Sequence, residues 1–310
     1  MKGMTMVRGI LKLAMLAGVA AGFAASSSAA PKRLDLSKPA DALAASRKIG
    51  CSLIDKEAVV YHFAGEVYSR VEGEPDRHLF DVQGMNVRQC VTITDPVRGK
   101  GFTQVSRELL LYTDVKTGEL IRTWANPWTG KTADVVHVAN DPVNFRAPQF
   151  PINKDGSPYK FEGRVQAGRV FMPIVVPLWY PNPMGGDYQQ FVGNQYHSME
   201  IFDFIADEAD LLDATKTRAN PSVSWVRISP WLPWMEMTGR GGVLVFNAVG
   251  QILPDGIAGL PKVMRDEIAL NYPTYTVPPP VDDARPNDTS WTYFKRQTDT
   301  RRAEAKAAAK

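Results

Sequence analysis

The sequence from residue 107 to residue 143 reads RELLLYTDVKTGELIRTWANPWTGKTADVVHVANDPV. Its β-branched and aromatic runs predict three short strands. These strands cover residues 107–113, 119–124 and 131–138. Each break between them ends in a glycine, Gly118 or Gly130, and glycine adopts positive φ at little cost. The stretch therefore predicts an antiparallel meander at the centre of the fold.

The same pattern of β-branched and aromatic runs continues on both sides of the meander. Runs rich in Val, Tyr, Phe and Trp, separated by short breaks, predict further strands. They lie at residues 58–70, 78–82, 86–94, 188–205, 222–229 and 242–248. A run at 169–177 contains Pro173 and Pro177, and we place it at an edge or rim because proline cannot donate to a central ladder. Residues 142–159 are expected to form a long loop.

Helices are fewer. Prolines near their first turns predict helices at residues 40–48 and 260–272, and an acidic segment at 207–213 predicts a short turn or helix. Strands that follow one another without intervening helices favour antiparallel pairing. The predicted fold is mainly β, an antiparallel barrel or strongly curved sheet of lipocalin-like architecture. A two-sheet β-sandwich is the alternative.

The N-terminal residues carry the features of a secretory signal peptide. Lys2 and Arg8 precede an apolar run at 13–23 that is too short to span a bilayer as a mature helix. Small residues follow at 24–30, and cleavage after Ala29 fits their spacing. Cleavage predicts a periplasmic or secreted protein without an integral membrane segment, and an uncleaved anchor is the alternative.

The rest of the chain divides into three segments. Residues 30–57 are expected to form a leader with one short helix, residues 58–294 a single β domain, and residues 295–310 a charged, frayed tail. The formal net charge is only +3 over 310 residues. So small a charge gives no argument for a nucleic-acid partner.

The only cysteines are Cys51 and Cys90. In an oxidising compartment such a pair forms a disulfide that closes a long loop. Two buried free thiols are the alternative, and the sequence leaves both open. A redox or zinc motif is not indicated, because no C-x-x-C spacing occurs.

No cofactor is expected from the motifs. Residues 239–242 read GRGG and lack the spacing and the strand-to-helix context of a dinucleotide loop. Neither a phosphate-binding loop nor a G-x-S-x-G elbow occurs. The four histidines are scattered without ligand spacing, so no metal site is predicted. They are His62, His78, His137 and His197.

His137, Asn140 and Asp141 form the densest polar group. His137 would act as a general acid or base with Asp141 orienting it, and Asn140 would contact a ligand. His197 is a second candidate for the same chemistry. The alternative is a turn at residues 140–142 in which Asn and Asp bond their own backbone. The sequence favours that turn.

Aromatic side chains indicate a ligand site more strongly than these polar residues do. The candidate ligand-binding aromatics are Trp124, Trp128, Trp179, Tyr196, Trp231 and Trp234. Most of them fall in or beside turns and proline-rich segments, where aromatic rings are suited to gripping an apolar or ring-containing ligand. A hydrophobic plug that seals the end of the barrel is the alternative interpretation.

Residues 196–204 alternate as a strand with polar groups on both faces. Tyr196, Ser198, Glu200, Phe202 and Phe204 share one of these faces. Because a dry core does not accept unpaired carboxylates, the pattern indicates that one face lines a cavity.

Five blocks of sequence carry a resemblance. They read YTDVKTG (112–118), WANPWTG (124–130), HVANDPV (137–143), WLPWM (231–235) and NDTSWTYF (287–294). In this order they resemble an uncharacterised family of exported bacterial proteins known only as a domain of unknown function. The resemblance covers most of the mature chain and implies a single domain. It implies no catalytic residues.

Three functions remain open from the sequence. The first is binding of a small apolar or aromatic molecule in a β-barrel cavity. The second is a cofactor-independent lyase, isomerase or hydrolase that uses His137 or His197 with Asp141 or Glu200, and with a tyrosine. The third is a structural or interaction protein with a filled core.

Overall fold

A computed structural model describes residues 32–143, 147–184, 195–237 and 239–309. The expected signal peptide at 1–29 lies outside the described residues. Residues 188–194 of the predicted strand at 188–205, and residues 144–146 of the predicted loop, also lie outside them.

Eleven strands are present in the described ranges. They are β1 (Val59–Arg70), β2 (Arg77–Asp95), β3 (Gly99–Thr113), β4 (Thr123–Ala125), β5 (Thr132–Asp134), β6 (Val138–Val143), β7 (Arg164–Gln166), β8 (Arg169–Pro181), β9 (Gln195–Asp207), β10 (Ser222–Ser229) and β11 (Val243–Ile252). Nine form one antiparallel sheet in the order β6-β3-β2-β1-β11-β10-β9-β8-β7. The chain is therefore mainly β, as predicted.

The predicted barrel closure is wrong. Among the described residues β6 pairs only with β3, and β7 pairs only with β8, so the two edge strands do not meet. The nine strands are also hydrogen-bonded in one continuous sheet, in place of the two sheets of a sandwich. Barrel closure depends on the pairing of strands far apart in sequence, which local hydrophobic patterns do not encode.

The predicted meander is only partly correct. β4 and β5 do form a hairpin, with Trp124 opposite Ala133, but they make a separate two-stranded sheet. The neighbour of β3 is β6, which places Glu108 opposite Asn140 and Leu110 opposite Val138. The first predicted turn, which ends at Gly118, therefore follows β3 out of the large sheet. The second, which ends at Gly130, joins β4 to β5.

The central strands follow the predicted pattern more closely. A single 19-residue strand, β2, replaces the two strands predicted at 78–82 and 86–94. β8 contacts β7 over only three residue pairs, so beyond Phe171 its outer side is an edge within the described residues. Pro173 and Pro177 lie in this part, as the inability of proline to donate requires.

Four α-helices and three 3₁₀-helices accompany the strands in the described ranges. The α-helices are α1 (Pro39–Gly50), α2 (Glu208–Leu212), α3 (Lys262–Asn271) and α4 (Ser290–Ala308). The 3₁₀-helices are Pro233–Met235, Gly256–Gly259 and Pro273–Thr276. None of the described helices has both the length and the apolar character needed to span a membrane.

The side chains of the large sheet alternate between two faces. On one face, here called the cavity face, a hydrophobic cluster at each end flanks a central cavity. The opposite face carries a third cluster, in which Met85 and Leu109 pack with Met264 and Ile268 of α3. Burial against α3 thus covers part of the opposite face and leaves the cavity face free to form a site.

α1 is held in place by a disulfide to the sheet and by hydrogen bonds to the end of α2. A disulfide joins Cys51, just after the helix, to Cys90 of β2, with 6.1 Å between their Cα atoms. Lys48 is fully buried, and its Nζ donates to the carbonyl oxygens of Asp210, Leu211 and Asp213 at 2.6–2.9 Å. These bonds satisfy carbonyl groups at the end of α2 that have no helical partner.

Candidate functional site

A cavity of about 330 Å³ lies at the middle of the cavity face. Its walls come from β1, β2, β3 and β6 on one side and from β8, β9 and β10 on the other. Residues 287–290, which lead into α4, also line it. The volume falls in the lower part of the range typical of small-molecule sites.

The apolar wall is built from aromatic rings. The rings of Phe63 and Trp225 meet edge to face with their centroids 5.3 Å apart, and Phe202 stacks beside Trp225 at 6.4 Å. Gly84 on β2 makes room for this arrangement, because a Cβ at Gly84 would lie 2.0 Å from the Phe63 ring. The glycine thus allows an aromatic ring to lie across the neighbouring strand.

One polar wall is centred on Glu108 of β3. Glu108 is largely enclosed by protein, and it lines the cavity. Asn86 Nδ2 donates to its Oε1 at 2.9 Å, and Arg88 Nε donates to Asn86 Oδ1 at 2.5 Å. Burial raises the pKa of the Glu108 carboxyl, and the negative charge of Glu200 raises it further. The positive charge of Arg88 and the two amide hydrogen bonds act against these effects.

The other polar wall is centred on Arg227 of β10. Its NH1 lies 3.5 Å from the carboxylate of Glu200 on β9, and its NH2 donates to the hydroxyl of Tyr196 at 2.5 Å. Arg227 is buried, while Glu200 keeps about a fifth of its side chain exposed. Each carboxyl group of the cavity therefore has a guanidinium nearby, Arg88 for Glu108 and Arg227 for Glu200.

Three buried polar atoms of the residues that line the cavity lack a hydrogen-bond partner among the described residues. They are Oδ1 of Asn140, Nε of Arg227 and Nε1 of Trp225. All three residues are more than nine-tenths buried. Buried polar atoms are almost always hydrogen-bonded in native proteins, so one unmatched acceptor and two unmatched donors indicate where a ligand would contribute its own polar groups.

Residues 287–290 are fixed in position by an ion pair and by hydrogen bonds. Asp288 accepts from NH2 of Arg296 and from the hydroxyl of Thr292, both at 2.5 Å, and its backbone N–H donates to Pro142 O at 2.9 Å. The first turn of α4 also buries Trp291. This segment is thus anchored to α4 and to β6, and it completes the cavity wall between them.

Most of the predicted ligand-binding aromatics lie elsewhere, in the cluster at one end of the cavity face. Trp124, Trp128, Trp231 and Trp234 contact one another there, with ring centroids 5.0–6.4 Å apart. Trp231 and Trp234 are buried, and none of the four lines the cavity. They pack as a hydrophobic cluster, and because the described strands do not close into a barrel there is no barrel end for them to seal.

His137 also lies in that cluster. Its ring packs almost parallel to Tyr112, and its Nδ1 accepts from the Tyr112 backbone N–H at 3.1 Å. Burial lowers the pKa of His137 to about 4, so the ring is neutral at pH 7. His137 does not line the cavity. Its position suits a packed core residue better than a catalytic acid.

The predicted turn at residues 140–142 is wrong. These residues belong to β6, and Asp141 pairs with Arg107 at 2.9 Å and with Arg285 at 3.0 Å. Arg107 is buried and also donates to the carbonyl oxygens of Thr274 and Val277. Asp141 therefore fixes the C-terminal arm to the sheet and lies apart from His137. Of the three polar residues predicted here, only Asn140 lines the cavity.

The remaining predicted residues are divided between the two faces. Tyr196 is buried behind the cavity wall, where its hydroxyl accepts from Arg227. His197 and Trp179 are exposed on the opposite face, with their rings 4.9 Å apart. Within the described part of the chain, no three His, Cys, Asp or Glu side chains are placed to hold a metal ion.

Sequence reasoning missed Asn86, Arg88 and Arg227, although a signal was present. On β10, Val223, Trp225 and Arg227 share one face, and all three line the cavity. An arginine in phase with apolar inward residues is a usable indication of a polar site. Alternation along β9 placed Glu200, Phe202 and Phe204 on one face of the strand without selecting it as the cavity side, and in the structure this face lines the cavity.

Comparison with known proteins supplies the family. A family model described as "Protein of unknown function (DUF1838)" matches residues 56–298. The chain belongs to the DUF1838 family. In this DUF1838 protein the matched residues contain all eleven strands and the cavity. Neither the curated proteins nor the solved structures give a match.

Proposed function

We propose that this DUF1838 protein binds a small apolar or aromatic molecule that carries one polar group, in the cavity between β3 and β9. The observation that carries the proposal is the pairing of an aromatic wall with the unmatched polar atoms Asn140 Oδ1 and Arg227 Nε. A ring would pack on Phe63 and Trp225, and its polar group would restore the missing hydrogen bonds.

The cavity favours binding over a structural role with a filled core. A filled core would place apolar side chains at close-packed density throughout the cavity face. In place of such packing there is space for a ligand beside five charged residues: Arg88, Glu108, Glu200, Arg227 and Asp288. Burying charged groups costs desolvation free energy even when the groups are paired, so their presence beside a cavity favours a functional role.

Calorimetric titration with 2-naphthol and with naphthalene tests the proposal. We expect saturable one-to-one binding of 2-naphthol, and weaker binding of naphthalene because it leaves the polar atoms unmatched. Arg227→Gln should weaken the binding of 2-naphthol about tenfold, whereas Arg169→Gln, at an exposed position on β8, should leave it unchanged. If neither compound gives a saturable signal, the proposal fails.

We further propose that the protein is exported to an oxidising compartment. The charged N-terminus, the apolar run and the small residues before Ala29 support this, and a disulfide-bonded Cys51–Cys90 pair is typical of such compartments. Cell fractionation followed by N-terminal sequencing tests it. Mature protein that begins at Ala30 in the extracytoplasmic fraction is the expected result, and full-length protein in the cytoplasm would contradict it.

A further inference from the structure

Two carboxyl groups share the cavity although they come from distant strands. Glu108 lies on β3 and Glu200 on β9, and four strands separate these two in the sheet order. Both nevertheless line the same cavity, and the charge of Glu200 acts on Glu108. The negative charge of Glu200 disfavours ionisation of the Glu108 carboxyl, so the two side chains are electrostatically coupled across the cavity.

The two groups have different surroundings. Glu108 is largely enclosed and receives a hydrogen bond from Asn86, and both burial and Glu200 raise its pKa. Glu200 is partly exposed, and its carboxylate pairs with Arg227. The enclosed position of Glu108 beside Asn86 suits the acid of a site, and the partly exposed position of Glu200 beside Arg227 suits the base.

Resting on the binding function proposed above, we propose that Glu108 and Glu200 form an acid–base pair that enolises a bound apolar carbonyl compound. Glu200 is the base and Glu108 is the acid. The substrate class is a ketone with a C–H bond next to its carbonyl group. Its ring or chain packs on the wall formed by Phe63 and Trp225.

The step balances without a cofactor. The Glu200 carboxylate takes a proton from the carbon beside the carbonyl, and the electron pair of the broken C–H bond forms a C=C bond. The carbonyl π electrons move to oxygen, which takes the proton of the Glu108 carboxylic acid and gives the enol. In the reverse direction Glu108 recovers its proton, and Glu200 returns one to carbon. Return to the original carbon exchanges hydrogen with solvent, and return to a conjugated carbon moves a double bond.

The arginines make this transfer electrostatically balanced. Before the step the negative charge lies on Glu200 beside Arg227, and after it the charge lies on Glu108. Glu108 is then stabilised by Asn86, which donates at 2.9 Å and is itself held by Arg88. A charge that moves between two preorganised sites needs little reorganisation, which is how enzymes lower such barriers.

Hydrogen exchange tests the proposal directly. Proton NMR in D₂O would follow the loss of the α-hydrogens of cyclohexanone and of 1-tetralone at neutral pD. We expect wild-type protein to accelerate exchange of at least one of these ketones above the buffer rate. Glu200→Gln and Glu108→Gln should each lower the protein-catalysed rate by about a hundredfold or more, within the usual contribution of a general acid or base. Glu119→Gln, at an exposed position outside the cavity, is the matched control and should keep the wild-type rate.

The outcomes separate this proposal from the binding function. If 2-naphthol binds but wild-type protein accelerates exchange of neither ketone, the acid–base pair is wrong and binding stands. If neither 2-naphthol nor naphthalene binds, both proposals fall. Saturating 2-naphthol should also suppress exchange by wild-type protein. This tests, without any variant, whether exchange takes place in the cavity. Exchange that persists under saturation, or in glutamine variants that still bind 2-naphthol, overturns the proposal.

Discussion

The aromatic cluster and the cavity lie on the same face of one sheet, yet they are built in opposite ways. In the cluster, Trp124, Trp128, Trp231 and Trp234 pack ring against ring. In the cavity, aromatic and aliphatic side chains lie beside charged groups around an open space. Close packing leaves no room for a ligand, whereas charged groups beside open space are costly unless a function uses them.

This difference separates stability from function. Aromatic residues dominate the sequence pattern, but their contacts indicate that most of them stabilise the fold. The polar residues of the cavity are fewer and are spread along the chain from Asn86 to Ser290. Substitutions in the cluster should therefore change folding free energy, and substitutions in the cavity should change binding. The predictions below test that division.

The largest effect is expected from Trp234→Ala in the cluster. Trp234 is buried and its ring contacts Phe80, Tyr112 and Trp124. Removing it should lower the free energy of unfolding by about 3–5 kcal/mol, as measured by denaturant titration. Trp179→Ala, at a ring that is 64% exposed, should cost less than about 0.5 kcal/mol. Equal losses in the two variants would contradict a packed cluster.

A somewhat smaller effect is expected from acid. Burial lowers the pKa of His137 to about 4, whereas histidine in the unfolded chain titrates near 6.5. Between these values only the unfolded state binds the proton, so stability falls as pH decreases from 6.5 to 4. The loss should reach about 3 kcal/mol relative to His137→Gln, in unfolding curves recorded at each pH. Parallel pH profiles for the two proteins would place His137 outside the buried cluster.

Glu108 should give a pH dependence of opposite sign. Its folded-state pKa is raised, so above the ordinary glutamate pKa the unfolded chain releases a proton that the folded protein retains. Relative to Glu108→Gln, the wild type should lose stability as pH rises through the folded-state pKa. Arg88, Asn86 and Asn140 face the carboxyl and oppose the shift, while burial and the charge of Glu200 produce it. A wild type that gains stability over this range would exclude a raised pKa.

The sequence predicted local features better than long-range pairing. The extended strand at β1, the edge position of the prolines in β8 and the shared face of Glu200 and Phe202 follow from side-chain alternation and backbone chemistry. The missing closure and the pairing of β3 with β6 depend on contacts between distant segments, which local patterns do not encode. The partners of Arg227 are likewise on another strand, so its position in phase with apolar residues on β10 indicates a polar site but does not indicate which groups it contacts.

The wrong turn at residues 140–142 has a similar cause. Asn and Asp before proline are typical of turns when their side chains bond the local backbone. In this protein Asp141 instead pairs with Arg107 and Arg285, so it is held by distant partners. Tertiary ion pairs therefore override a local preference, and the same residues serve as part of a strand.

The central claim is that the cavity, and not the aromatic cluster, is the ligand site. Val175 and Val176 are adjacent on β8. The same substitution made at each of them in turn tests this claim. Val176 lines the cavity, whereas Val175 is exposed on the opposite face. Calorimetry with 2-naphthol should show that Val176→Trp loses at least about tenfold in affinity because the indole occupies the cavity, while Val175→Trp binds like wild type. Undiminished binding by a folded Val176→Trp variant would contradict the account.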